Sequence, residues 1–187
     1  HWHRLKELEL ASRHLQALQV EKDLERERRE ELREQRKAEQ ELAKEKERLE
    51  KERSHYRNVI AALEASGDSD GAARIREQLD NVDRAIADVD YRTANIRAGY
   101  VYVISNIGAF GDEVVKIGLT RRLEPMDRVN ELGDASVPFR FDVHALFFAQ
   151  DAVSIEGMLH QHFADQRINK VNQRKEFFRT TPAAVLE

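Results

Sequence analysis

Residues 21–53 carry 25 charged side chains among 33. A stretch this polar cannot bury a core, so it folds either as a solvated single helix or as a weak coiled coil. Acidic and basic side chains interleave at spacings of three and four, which supports helix by about 0.2–0.5 kcal/mol per pair. Its apolar positions are few: Leu24, Leu32, Leu42 and Leu49. The expected role is that of a spacer or stalk, because the acidic side chains repel phosphate.

Further along, the pattern becomes a seam. Leu49, Tyr56 and Leu63 are seven apart, with Val59 and Ile60 beside them. After the break "SGDSDG" (66–71), Ile75, Leu79, Val82, Ile86, Val89, Thr93 and Ile96 alternate by four and three. Such a heptad seam predicts two helices folded back as an antiparallel hairpin. The second helix is expected to end near "NIRAG", stopped by Gly99. Leu5, Leu8, Leu15 and Leu18 form a further seam near the start, so self-association into a homo-oligomer is expected. A protein partner for this helical arm, residues 1–98, is a further expectation.

At Gly99 the period changes from helical to strand-like. "YVYVIS" and "VVKIGLT" read as strands, "RRLEPMDRVNELGDA" as a helix with Leu123, Met126, Val129 and Leu132 near one face, and "FRFDVHALFFA" as a strand. "DAVSIEGMLHQHFADQRI" is an amphipathic helix with Ile155, Leu159 and Phe163 on one stripe, and "NKVNQRKEFFRT" is a basic loop ending in two aromatic residues. The order ββαβα with a short final element describes a small α+β domain over residues 99–187.

Composition narrows the chemistry. The net charge is −4, and neither half is basic overall, so a nucleic-acid site must be a local patch. There is no cysteine, which excludes disulfide scaffolds and cysteine-based zinc sites and makes a cytoplasmic setting the default. No apolar run reaches the roughly 18 residues that cross a membrane. The chain starts at His1 and stops at "TTPAAVLE" just as a new helix is due, so it is expected to be a fragment whose missing segments are free to carry an anchor.

The paired strands "YVYVI" and "KIG", an arginine on the next helix and a glutamate on the one after resemble the GIY-YIG endonuclease superfamily, in the phage-type branch with the pattern "VYV…KIG.T…R…L…E..LH..F…EFF". The resemblance covers residues 99 to about 180. Combined with the helical arm, it is similar to bacterial proteins of defence against phage. It implies a metal-dependent DNA endonuclease with one divalent ion, Mg²⁺ or Mn²⁺, and DNA as partner, the favoured target being phage or other foreign duplex. A catalytically degenerate module binding DNA or protein is the alternative, and the lysine where the wider family has tyrosine keeps it open.

The resemblance places Tyr102 as a tyrosine-centred proton acceptor. Because strand side chains alternate, Tyr100 and Tyr102 share one sheet face. A phenol with a pKa of about 10 needs a neighbouring cation or metal-bound water to act as a base. Lys116, flanked by Val115 and Ile117, is unusual in a strand. Three functional roles are open to it: accepting a proton if burial lowers its pKa, gripping a phosphate, or lowering the pKa of Tyr102. The plain alternative is a lysine guarding a sheet edge. Gly118 allows close approach of substrate or of a neighbouring helix. Arg128 suits the charge of a phosphoryl transition state. Glu156 is a hard carboxylate ligand for the ion, and His160, four residues on, shares its helix face and either orients water or protonates the leaving oxygen. Backbone contacts to DNA are expected from Arg121, Arg122, Lys170, Arg174 and Lys175, with Asn172 as the superfamily's late asparagine.

Overall fold

The computed structural model describes residues 2–134, 137–172 and 175–187, apart from the side chains of residues 2, 3, 5 and 134. One helix, α1 (Trp2–Ser66), spans 65 residues, about 100 Å at 1.5 Å per residue. Gly67, with φ of 80°, adopts the left-handed conformation that ends a helix without a Cβ clash. Asp68 then caps α2 (Ser69–Ala94), its side chain accepting from the Gly71 amide at 2.8 Å. The two helices form the expected antiparallel hairpin, and Leu42 and Leu49 of α1 pack against Val82, Ile86 and Val89 of α2.

The second helix stops four residues earlier than the glycine rule predicts. At Asn95 the amide still donates to the Tyr91 carbonyl, but the side chain turns to Tyr91 Oη and to the Gln150 carbonyl, both at 3.0 Å. This link to the compact domain ends the helix, so Ile96 leaves the seam and is 65% exposed. Gly99 starts a strand instead. At the other end, Leu8, Leu15 and Leu18 lie exposed on α1.

The compact domain is α+β, as its patterning predicts. Strands β1 (Gly99–Ser105), β2 (Val114–Thr120), β3 (Asp142–Ala149) and β4 (Phe177–Arg179) form one antiparallel sheet in the order β3-β1-β2-β4. A short helix, α3 (Ile107–Phe110), joins β1 to β2. Helix α4 (Pro125–Asp134) covers one face, where Val129 packs with Tyr102 and Ile104. On the other face lie α5 (Ala152–His162) and α6 (Pro182–Leu186), with Phe163, Phe178 and Leu159 packed on Val103, Val115 and Ile117.

The charged stretch of α1 is not solvated all round. Ala38 is 3% exposed, and Leu123, in the loop after β2, joins the hairpin core. The acidic face around Ala38 lies against the compact domain.

Candidate active site

In the β1–β2 ladder Tyr102 stands opposite Gly118 and Ile104 opposite Lys116, so the tyrosine and the lysine project from the same sheet face. The Tyr102 ring lies across Gly118: a Cβ there would come within 2.6 Å of Tyr102 Oη and 2.7 Å of Cζ. The close approach expected at Gly118 is therefore made by the neighbouring strand's tyrosine.

Strand β4 is short. It pairs with β2 only from Val114 to Lys116, and the last ladder bond runs from the Ile117 amide to the Glu176 carbonyl at 3.2 Å. Beyond that point no strand among the described residues lies beside this edge of β2, and α5 supplies the missing partners. His160 Nε2 lies 2.9 Å from the Ile117 carbonyl, and the Leu119 amide donates to the Glu156 carboxylate. A carbonyl only accepts, so Nε2 carries the proton and Nδ1 keeps a lone pair. Glu156 and His160, i and i+4 on one helix face, thus reach the same β2 edge.

Two sets of groups meet at this edge. Tyr102 and Lys116 come from the sheet and Arg128 from α4; Glu156 and His160 come from α5, and Glu176 from the residue before β4. Lys116 is 8% exposed, its Nζ 2.7 Å from Glu176 Oε2 and 5.3 Å from the Phe177 ring centroid. Burial works against its charge, but Tyr102 and Glu176 outweigh burial and hold the ammonium above its ordinary pKa. Lys116 is therefore a cation here and not a proton acceptor. Burial pushes the Tyr102 phenol up, while the Lys116 charge pulls it down. Burial and then the Glu176 charge push Glu156 up to about 7, opposed by Lys116 and the Leu119 amide. Burial lowers His160, offset in part by the Ile117 carbonyl and Glu176.

Glu156, His160 and Glu176 each offer one ligand atom, all within 4.8 Å of one another. Two ligands of one Mg²⁺ with bonds of 2.0–2.1 Å stand at most about 4.2 Å apart, so this donor set needs little closing to share a hard cation. The mutual repulsion of Glu156 and Glu176 is relieved by such an ion. Glu176 stands out in the sequence only as the neighbour of two core aromatics, and the end of a three-residue ladder is what makes it part of the site.

The other expected residues are placed differently. Arg128 is half-buried, Nη1 3.5 Å from Glu34 Oε2 of α1. Arg122 is 2% exposed: Nε and Nη2 donate to Glu34 at 2.9 and 2.6 Å, and Nη1 and Nη2 to Glu131 at 2.8 and 2.7 Å. It has no open path to DNA in this arrangement. Asn172 is also buried, its Nδ2 2.7 Å from both carboxylate oxygens of Glu27. Arg121 is half-buried, Lys170 and Lys175 are exposed, and Arg174 lies outside the described residues.

Residues 99–187 match the T5orf172 domain. The match covers the whole compact part, from the first residue of β1 to the last of the chain, and none of the helical hairpin. It fits a phage-type nuclease and suggests a nuclease-like, DNA-acting function for this domain. No curated protein and no solved structure matches the chain. Among the described residues no helix is long and apolar enough to cross a membrane.

Proposed function

We propose that the chain is a GIY-YIG-type endonuclease that hydrolyses DNA phosphodiesters with one bound Mg²⁺ or Mn²⁺ ion. A cytoplasmic setting and a role against phage or other foreign DNA go with this reading. The observation that supports it is the convergence beside β2 of Tyr102, Lys116 and Arg128 with Glu156, His160 and Glu176, three side chains of a kind that ligates metal ions. Glu156 would hold the ion, with His160 and Glu176 as its further protein ligands. When bound, the ion supplies Lewis-acid stabilisation of charge on a phosphate oxygen.

The chain's own groups do the rest. Water adds to phosphorus as one P–O ester bond breaks, and the leaving oxygen takes a proton from solvent water, giving a phosphate monoester and a free hydroxyl. In its phenolate form, which the Lys116 charge favours against the burial that holds its pKa above the ordinary value, Tyr102 takes the proton of the attacking water. Arg128 holds the charge that grows on the phosphoryl oxygens, because a guanidinium stays ionised and binds two oxygens at once. His160 acts in this reading as a ligand of the ion. It is poorly suited to protonate the leaving oxygen, since its one proton is committed to the Ile117 carbonyl.

A second reading has an observation in its favour. Lys116 is already paired with Glu176 and Tyr102 is 2% exposed, which fits a degenerate module that binds DNA without cutting it. Incubation of the protein with supercoiled plasmid in Mg²⁺, in Mn²⁺ and in chelator separates the two. Nicking that needs the metal is the expected result. Binding without cleavage of any duplex, single-stranded or modified DNA selects the second reading.

A further inference from the structure

Four glutamates of α1, Glu27, Glu31, Glu34 and Glu41, follow one another at spacings of four, three and seven. That is the same 4-3 period that places Leu42 and Leu49 against α2, and the half-buried Glu27, Glu34 and Glu41 carry it onto the compact domain, while Glu31 is exposed. Each meets a group of the candidate site or of the loop beside it. Glu27 takes both carboxylate contacts with Asn172. Glu34 binds Arg122 through both oxygens, receives Thr120 Oγ1 at 3.1 Å, and reaches Arg128. Glu41 accepts from the Leu123 amide at 3.2 Å. Glu31 lies close enough to Glu156 to oppose its ionisation.

A row of anions laid across arginine and asparagine side chains is what a phosphate backbone presents to such a groove. Little apolar surface seals this contact: among the described residues of α1 before Leu42 only Ala38 is a buried hydrophobic, Leu24 and Leu32 are exposed, and Leu123 packs further along against the hairpin core. Buried pairs are little screened by salt, but carboxylates held without a large apolar seal are open to replacement by another polyanion. Lys37 on α1 bonds Glu131 from the domain side at 2.9 Å, so the contact is specific in register and not a diffuse attraction.

We propose that α1 is a built-in competitor of nucleic acid: its carboxylates at 27, 34 and 41 occupy the positions of DNA phosphates on the Arg122–Arg128–Asn172 face, and this segment must lift off before a duplex reaches the site. The proposal rests on the DNA-acting reading above and adds its regulation. The hairpin of α1 and α2 then serves as the lever that sets how often the face is open. It also explains why residues that suit backbone binding are buried in a chain whose surface elsewhere is crowded with charge.

The test compares two triple variants of the full chain. E27Q/E34Q/E41Q removes charge facing the domain. E25Q/E30Q/E47Q removes the same charge from glutamates on α1 that are more than half exposed and paired only within the helix. Binding of a fluorescent duplex is measured by anisotropy in chelator, so no cleavage interferes, and amide hydrogen exchange is followed across residues 27–41. The first variant is expected to bind at least tenfold more tightly than wild type and the second within about twofold. Exchange over 27–41 is expected to rise when wild type binds DNA. Equal gains in both variants, or unchanged exchange in the DNA-bound protein, overturn the proposal while leaving the nuclease reading in place. If no form binds DNA at any salt concentration, the nuclease reading falls and the proposal with it. E27Q alone leaves the Arg122 network intact and gives a smaller gain in the same direction, which keeps the test valid if the triple variant folds poorly.

Discussion

Replacing Gly118 with alanine perturbs the site without removing any polar group. The new Cβ would sit 2.6 Å from Tyr102 Oη, 2.7 Å from Cζ and 3.0 Å from Cε2. Ordinary contacts begin near 3.4 Å, so the ring must move by roughly 0.7 Å or more. It has little room, because Tyr102 is 2% exposed and wedged against Ile104 and Val129. Overpacking of this kind costs about 1–3 kcal/mol. In a chain of this size each kcal/mol lowers Tm by about 2–4 °C. The larger effect is expected on rate: displacement of a reacting group by about 1 Å costs on the order of 100-fold. Thermal melts and single-turnover nicking of plasmid measure the two effects separately. Gly118→Ala that melts within about 1 °C of wild type and nicks at the wild-type rate would refute the placement of Tyr102.

The remaining predictions concern the arm and its docking. Arg122→Leu leaves Glu34 and Glu131 facing each other without their shared cation and should cost about 3–5 kcal/mol in denaturant unfolding, where a loss below about 1 kcal/mol contradicts the burial of this network. Ile86→Ala opens a cavity between α1 and α2 and should cost about 2–5 kcal/mol by the same measurement. The Arg122 hydrogen bond, with Lys37 assisting, holds the Glu131 carboxyl down at about 2 from 4.5. A depressed folded-state pKa gives stability that is present above 4.5 and lost as pH falls toward about 2, so Tm should drop over this window more steeply in wild type than in Glu131→Gln. Parallel curves would show that Glu131 does not carry the effect.

Some of this molecule is legible in its residues, and some is not. The two strands and their shared face follow from period-2 patterning, because each tyrosine and the lysine fall in register with apolar neighbours that can only point the other way. The hairpin follows from the unbroken 4-3 spacing around Val82 and Ile86. Strand β4 has three residues, too few for any period, and Glu176 owes its place to a ladder that ends there. The end of α2 is set by contacts of Asn95 with a residue 55 positions away, which no local stop rule contains. The acidic stripe of α1 is the clearest limit. A solvated glutamate and a docked one look alike in sequence, and the partners of Glu34 and Glu27 lie 86 to 145 positions along the chain. Arg122 and Asn172 were expected to face DNA for their chemistry, and the structure gives that chemistry to α1.

The most direct test of the whole account is the rate of plasmid nicking by wild type and by Glu156→Ala, both shown to be folded by circular dichroism, in Mn²⁺ and in chelator. Wild type is expected to nick only with metal present, and the variant to lose at least about 100-fold in rate. Equal rates for the two proteins, or cleavage that persists in chelator, would contradict it.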